Sequence, residues 1–188
     1  MSERVESVQS RGGTVLRGGT VIDVAGERRV DVRLVDGRIA ETGDLPADGD
    51  ADVIDVTGLV VAPGFVDLHT HLREPGMTEA ETIETGSRAA ALGGYTAVVA
   101  MPNTDPTQDC VSVVEFVRSQ GRSAGLCDVH PSGSITVGRA GEQLTPFAEL
   151  ASVGVHLFTD DGSGVQDDGL MRRALEYAGE RGLVLAQH

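Results

Sequence analysis

The stretch Pro63-Gly64-Phe65-Val66-Asp67-Leu68-His69-Thr70-His71 decides how the chain is read. From it onward the pattern is strand, then helix, repeated. Phe65 to His71 is a strand candidate, and Glu79 to Leu92 carries a helical pattern that Gly93-Gly94 stops. Tyr95 to Met101 reads as a buried strand. Ser112 opens the next helix, with Glu115 three residues on as a capping box. Leu126 to His130 is a third strand, Phe147 to Ser152 a short helix and Val155 to Thr159 a fourth strand. Leu170 to Arg181 is a helix stopped by Gly182, and Leu183 to Gln187 is strand five. Alternating units of this kind imply an α/β fold with a parallel sheet and right-handed crossovers.

Upstream the reading changes. From about Gly13 to Val61 the chain is a series of short strands. Val30, Val32 and Leu34 alternate, Asp36-Gly37 is a hairpin turn, and Arg38-Ile39-Ala40 returns. Ala47 to Ala51 reads as a polar loop, and Val53 to Val61 as one more apolar strand. Residues 1–62 therefore form a small β part, and residues 63–188 a separate α/β part.

Composition narrows the function classes. At 40% hydrophobic and 23% charged, the 188 residues suit a folded globular chain. Aromatics make up only 3%, so the core must come from Val, Leu, Ile and Ala, as in strands buried on both faces. A formal net charge of −14 repels phosphate backbones and anionic lipid, so no nucleic acid and no membrane is expected as a partner. An anionic ligand would need a local Arg or a metal ion. The N-terminus, Met1-Ser2-Glu3-Arg4-Val5-Glu6, has no apolar run of a signal peptide, and a cytoplasmic location is expected. Cys110 and Cys127 make no metal-type pair and are expected as free thiols.

The chemistry-bearing residues fall just after the strands, where active sites sit in a (β/α)8 barrel or an open α/β sheet. His69 and His71 lie two apart, so on a strand they share a face with about 6.6 Å of rise, and two imidazoles can converge on one metal. The plain alternative is one packed and one solvated histidine. Asp160-Asp161-Gly162 ends strand four, where it is either a source of a metal carboxylate or an ordinary turn. His188 ends strand five and is either a ligand or an exposed histidine. Arg73 offers a guanidinium fork for a carboxylate, unless it pairs with Glu74. Asn103, in Met101-Pro102-Asn103-Thr104, brings an amide to the same rim or serves as a turn residue. His130 and His156 read as structural.

Pro63 to Gly76, with the run Asp67-Leu68-His69-Thr70-His71-Leu72-Arg73-Glu74-Pro75-Gly76, is similar to the signature of bacterial dihydroorotases, members of the cyclic amidohydrolases. Glu84-Thr85-Gly86-Ser87, Gly93-Gly94-Tyr95-Thr96, Met101-Pro102-Asn103-Thr104 and Phe158-Thr159-Asp160-Asp161-Gly162 follow in the same order, and the resemblance runs from about Gly13 to His188. It implies an incomplete (β/α)8 TIM barrel, with about five strands present, preceded by part of a small β-sandwich. It also implies two zinc ions per complete site: His69 and His71 on one, Asp161 bridging, and His188 on the other. His71, Arg73 and Asn103 would contact substrate.

The implied reaction is the reversible cyclisation of N-carbamoyl-L-aspartate to (S)-dihydroorotate in pyrimidine biosynthesis. No catalytic residue is assigned within the chain: the general-base Asp, another zinc His and further substrate ligands are expected downstream. All 15 basic residues are Arg and none is Lys, which excludes from this part the carboxylated lysine that bridges the metals in hydantoinases and some dihydroorotases. A complete barrel takes roughly 250 residues, so residues 1–188 are expected to be the N-terminal portion of a longer enzyme and inactive alone. Two other readings stand beside this one. They are another cyclic amidohydrolase, of allantoinase or hydantoinase type, and a non-catalytic scaffold for aspartate carbamoyltransferase. That enzyme is also a candidate partner, and the full-length protein is expected to be a homo-oligomer.

Overall fold

The structure is a computed structural model and describes residues 13–46 and 51–188. The expected loop from Ala47 lies outside the described residues except for Ala51, as does the charged N-terminus. The chain forms two compact units, Met1–Pro63 and Gly64–His188.

Among its described residues the first unit is all β: β1 (Thr14–Arg17), β2 (Thr20–Asp23), β3 (Gly26–Arg29), β4 (Asp31–Val35), β5 (Arg38–Gly43), β6 (Asp52–Asp55) and β7 (Val60–Val61). They form two sheets, in the orders β5-β4-β1-β6 and β3-β2-β7. The β4–β5 hairpin closes on Asp36 (φ 49°) and Gly37 (φ 71°), two left-handed residues in succession, which match the twist of the flanking strands. The β2–β3 hairpin is clamped by Arg28, whose two guanidinium nitrogens each reach an Asp23 oxygen at 2.7 Å. That fork holds the Asp23 carboxyl down at about 2. The single strand expected over Val53 to Val61 is instead two strands in different sheets. Thr57 N–H donates to the Asp55 carboxylate at 2.9 Å and Gly58 takes φ 79°, so the chain turns between them.

The second unit alternates as expected. Its strands are β8 (Phe65–Thr70), β9 (Tyr95–Ala100), β10 (Asp128–Pro131), β11 (Leu157–Phe158) and β12 (Val184–Leu185), and its helices α1 (Ile83–Leu92), α2 (Val111–Ala124), α3 (Phe147–Ser152) and α4 (Asp168–Gly179). β8, β9 and β10 pair in parallel, as do β11 and β12, and a parallel bridge from Gly133 to Phe158 joins the two groups. Five strands thus lie side by side in chain order and point the same way. Among the described residues, no helix is long and apolar enough to cross a membrane.

Three helix starts differ from expectation. α4 begins at Asp168 rather than Leu170, because the Asp167 carboxylate caps it by accepting Leu170 N–H at 2.5 Å. α1 begins at Ile83 rather than Glu79 because Thr82 caps it: Thr82 Oγ1 accepts from Thr85 N–H at 3.1 Å, and Thr85 Oγ1 accepts from Thr82 N–H at 3.0 Å. The capping box proposed for Ser112 and Glu115 is not formed. Cys110 stands at the N-cap and its side chain caps no backbone N–H, its Sγ instead meeting Ser112 Oγ at 3.3 Å. Ser112 lies inside α2, and Glu115 pairs with Arg118 at 3.1 Å.

One core gathers Val114, Ile135, Leu150, Val155, Leu170 and Ala174 around Phe147 and Phe158, whose rings stack at 4.3 Å. A second gathers Leu72, Ile83, Val98, Ala100, Val117 and Val129 between the first three strands and their helices. α2 can lie this close to β10 because residue 121 has no side chain: a Cβ there would stand 2.6 Å from Val129 Cβ. In the full-length protein, Gly121→Ala is therefore expected to overpack this seam and cost about 1–3 kcal/mol, read as a lower urea midpoint at unchanged m-value.

Candidate metal centre

The C-terminal ends of the parallel strands carry the polar residues. His69 lies near the end of β8, and His71 follows the strand's last residue, Thr70. The ladder of β8 with β9 slips between Asp67 and Thr70, and Asp67 takes up the His69 N–H at 3.0 Å. Such an irregularity bends a strand end and re-aims its side chains. Thr70 is pinned again by Met101 N–H at 2.9 Å.

Asp161 arrives from the turn after β11. Its backbone is left-handed (φ 50°), its N–H donates to Thr159 Oγ1 at 3.0 Å, and its side chain is only 9% exposed. One carboxylate oxygen, Oδ1, faces both imidazoles: His69 Nε2 at 3.1 Å and His71 Nε2 at 3.9 Å. The ligand atoms of His69, His71 and Asp161 lie within 4.8 Å of one another. Two neutral imidazole nitrogens and a carboxylate make a donor set of the kind that binds zinc, with positions left for water or substrate.

Asn103 settles the proton on His71. Its Nδ2 donates to Asp161 Oδ2 at 2.8 Å, since an ionised carboxylate only accepts, so its Oδ1 turns to His71 Nδ1 at 3.0 Å. His71 Nδ1 then carries a hydrogen, and in the neutral ring this leaves the Nε2 lone pair facing the cluster, the tautomer that would ligate a metal there. The loop holding Asn103 is fixed from behind by fully buried Gln108, whose side chain donates to Met101 O at 2.7 Å and whose backbone N–H donates to Pro102 O at 3.1 Å.

His188 follows β12. Its ring centroid stands 6.1 Å from that of His69, set back from the tight three-residue cluster. Gln187 anchors this strand end by exchanging two hydrogen bonds with the Val165 backbone, at 3.2 and 3.0 Å. Arg73 has a left-handed backbone (φ 57°), and among the described residues its guanidinium has no hydrogen-bond or ion-pair partner. The alternative pairing with Glu74 is not made, because the Glu74 carboxylate accepts Ile83 N–H at 2.8 Å. His130 lies within β10 and His156 just before β11; both are exposed and neither belongs to the cluster. Cys110 and Cys127 are free thiols.

One residue escaped the sequence reading. Arg139, on the loop after β10, places Nη2 3.9 Å from Asp161 Oδ2. Its signal was positional: an Arg between Gly138 and Gly141 on a loop that follows a parallel strand, as the loops bearing Arg73 and Asn103 do.

The chain is similar to known proteins over most of its length. A family model described as "Dihydro-orotase-like" matches residues 58–188. The chain is 56% identical over 163 residues to the dihydroorotase of Mycobacterium tuberculosis (strain ATCC 25618 / H37Rv), covering 85% of this chain and 38% of that protein. It is 43% identical over 176 residues to the dihydroorotase of Aquifex aeolicus (strain VF5), covering 93% of this chain and 42% of that protein. Among solved structures, the L-hydantoinase (dihydropyrimidinase) from Arthrobacter aurescens superposes with a TM-score of 0.77 at 21% identity, over 93% of this chain and 40% of that one, a likeness of fold alone. A D-hydantoinase from Bacillus sp. AR9 superposes with a TM-score of 0.70 at 28% identity, over 92% of this chain and 39% of that one. The chain spans about two fifths of the length of the curated relatives it matches. On the extent of the family match and on these identities, the chain belongs to the dihydroorotase-like family.

Proposed function

We propose that the full-length protein is a zinc-dependent dihydroorotase, and that residues 64–188 are the first part of its (β/α)8 barrel. In this reading the two small sheets before them form part of a β-sandwich. The observation that carries the proposal is the meeting of His69, His71 and Asp161, with ligand atoms within 4.8 Å, at the end of a parallel sheet. His69 and His71 would hold one ion, Asp161 would bridge, and His188 would serve the second. Zinc held there supplies Lewis acidity and brings a bound water's pKa towards about 7.

The chain's own residues supply position and charge. In the hydrolytic direction a C–O bond forms at the ring carbonyl carbon of dihydroorotate, the ring C–N bond breaks, and the nitrogen takes a proton. Arg73, whose guanidinium has no partner among the described residues, presents it to the substrate carboxylate, and Asn103 retains a second Nδ2 hydrogen for the same group. Fixing the carboxylate at one end sets the ring against the metal ligands at the other. The proposal assigns the general base to an aspartate outside residues 1–188. The absence of Lys leaves Asp161 as the bridging carboxylate of this part, which favours dihydroorotase over the hydantoinase type.

The test is turnover by the purified full-length protein with zinc, offered dihydroorotate, N-carbamoyl-L-aspartate, hydantoin and allantoin separately. Interconversion of the first pair alone is expected. Hydrolysis of allantoin or hydantoin without dihydroorotate would move the assignment within the amidohydrolases. A protein that neither holds zinc nor turns over any of the four would instead fit a scaffold for aspartate carbamoyltransferase.

A further inference from the structure

Arg139 binds the turn that carries Asp161 at three points. Its Nε donates to Asp160 O at 2.9 Å, its Nη2 donates to Ser163 Oγ at 2.9 Å, and the same Nη2 faces Asp161 Oδ2 at 3.9 Å. One planar guanidinium thus spans the turn from its first residue to its last. The two oxygens of Asp161 are divided: Oδ2 receives Asn103 and faces Arg139, while Oδ1 faces the imidazoles.

The arrangement opposes a local backbone preference. Asp161 (φ 50°) and Arg139 (φ 58°) are both left-handed without being glycine, and L side chains adopt that conformation at a cost. Such geometry persists only where its surroundings hold it. The Arg139 loop is itself held: Gly138 N–H donates to Asp109 Oδ2 at 2.9 Å, and Arg139 N–H donates to Thr136 O at 2.9 Å. Thr136 closes the unit by donating its own N–H to Asp160 Oδ1 at 2.9 Å, with its hydroxyl on the other Asp160 oxygen. The loops after β10 and β11 are therefore a single hydrogen-bonded piece, and Arg139 is the member whose side chain faces the Asp161 carboxylate.

We propose that Arg139 is a positioning residue for the metal centre. Its fork holds the 160–163 turn in the conformation that presents Asp161 Oδ1, rather than Oδ2, to the His69–His71 pair. The inference rests on the reading of Asp161 as a metal ligand and adds to it the residue that aims the ligand. Lys cannot reproduce the planar fork but keeps the charge and several donors. Gln keeps an amide without the charge, and Met keeps only the bulk.

The experiment is zinc affinity, by competition with a chromophoric chelator, for the full-length wild type and its Arg139→Met, Arg139→Gln and Arg139→Lys variants, with circular dichroism of each apoprotein. Loss of an outer partner of a metal ligand typically costs 10–100-fold in affinity, and Arg139→Met is expected in that range, with Arg139→Lys recovering part of it. Native circular dichroism in a variant that has lost affinity separates misplacement of Asp161 from unfolding. Affinity within about twofold of wild type in Arg139→Met, or in both other variants should Met fail to fold, overturns the proposal. A wild type that binds no zinc, or an Asp161→Asn variant that binds it as tightly as wild type, overturns instead the metal reading on which the proposal rests.

Discussion

Replacing His69 and His71 together by alanine in the full-length protein is expected to abolish zinc retention and to lower dihydroorotate turnover by roughly a thousandfold or more. The magnitude follows from the several kcal/mol of charge stabilisation that a catalytic metal contributes, at about 1.4 kcal/mol per tenfold in rate. The fold gives little reason to expect collapse. The His69 side chain is 48% exposed and that of His71 28%, so neither fills a core. The adjacent residue in sequence, buried Leu72 at 2% exposure, is untouched. Asn103 would lose its partner at His71 while still donating to Asp161. Elemental analysis of the dialysed protein gives the metal content, and the unfolding midpoint of the apoprotein checks the fold. A double variant that keeps stoichiometric zinc would sink the assignment of these ligands, whatever its activity.

The histidine pair was legible in the sequence because a strand has a period of two, which places residues 69 and 71 on one face before anything else is known. The paired aspartates and Asn103 were legible for a related reason: each follows an apolar run ending at the same rim of a parallel sheet. What the sequence did not disclose depends on contacts between loops. Nothing in the run Val137-Gly138-Arg139 says that its guanidinium meets the Asp160–Ser163 turn, because that meeting needs β10 and β11 side by side. The proton on His71 is hidden in the same way, since it follows from which end of the Asn103 amide Asp161 takes.

Helix starts show a smaller failure of the same kind. Glu79 begins the helical pattern, but Thr82 and Thr85 satisfy each other and start α1 later. Ser112 and Glu115 have capping-box spacing, yet Glu115 turns to Arg118 and Arg122 instead. Both outcomes turn on which partner a side chain reaches, and spacing alone does not rank partners.

Arg73→Met in the full-length protein is expected to raise KM for dihydroorotate and lower kcat/KM by roughly 30- to several-thousandfold, with zinc content unchanged. That range is the about 2–5 kcal/mol that truncating one partner of a buried, hydrogen-bonded charge pair costs. The net charge of −14 repels an anionic substrate at long range and leaves recognition to a local cation. Arg73 stands two residues beyond His71, and no described residue pairs with its guanidinium. Glu74, the nearest candidate in sequence, is already committed to the N-terminus of α1. Removing the guanidinium therefore strands no partner among the described residues, and the loss falls on the substrate complex. Arg73→Lys should recover part of the affinity as a point charge without restoring the bidentate fork. Unchanged KM in Arg73→Met, with zinc in place, would show that the substrate carboxylate is held elsewhere. Lost zinc would tie Arg73 to the metal centre rather than to the ligand.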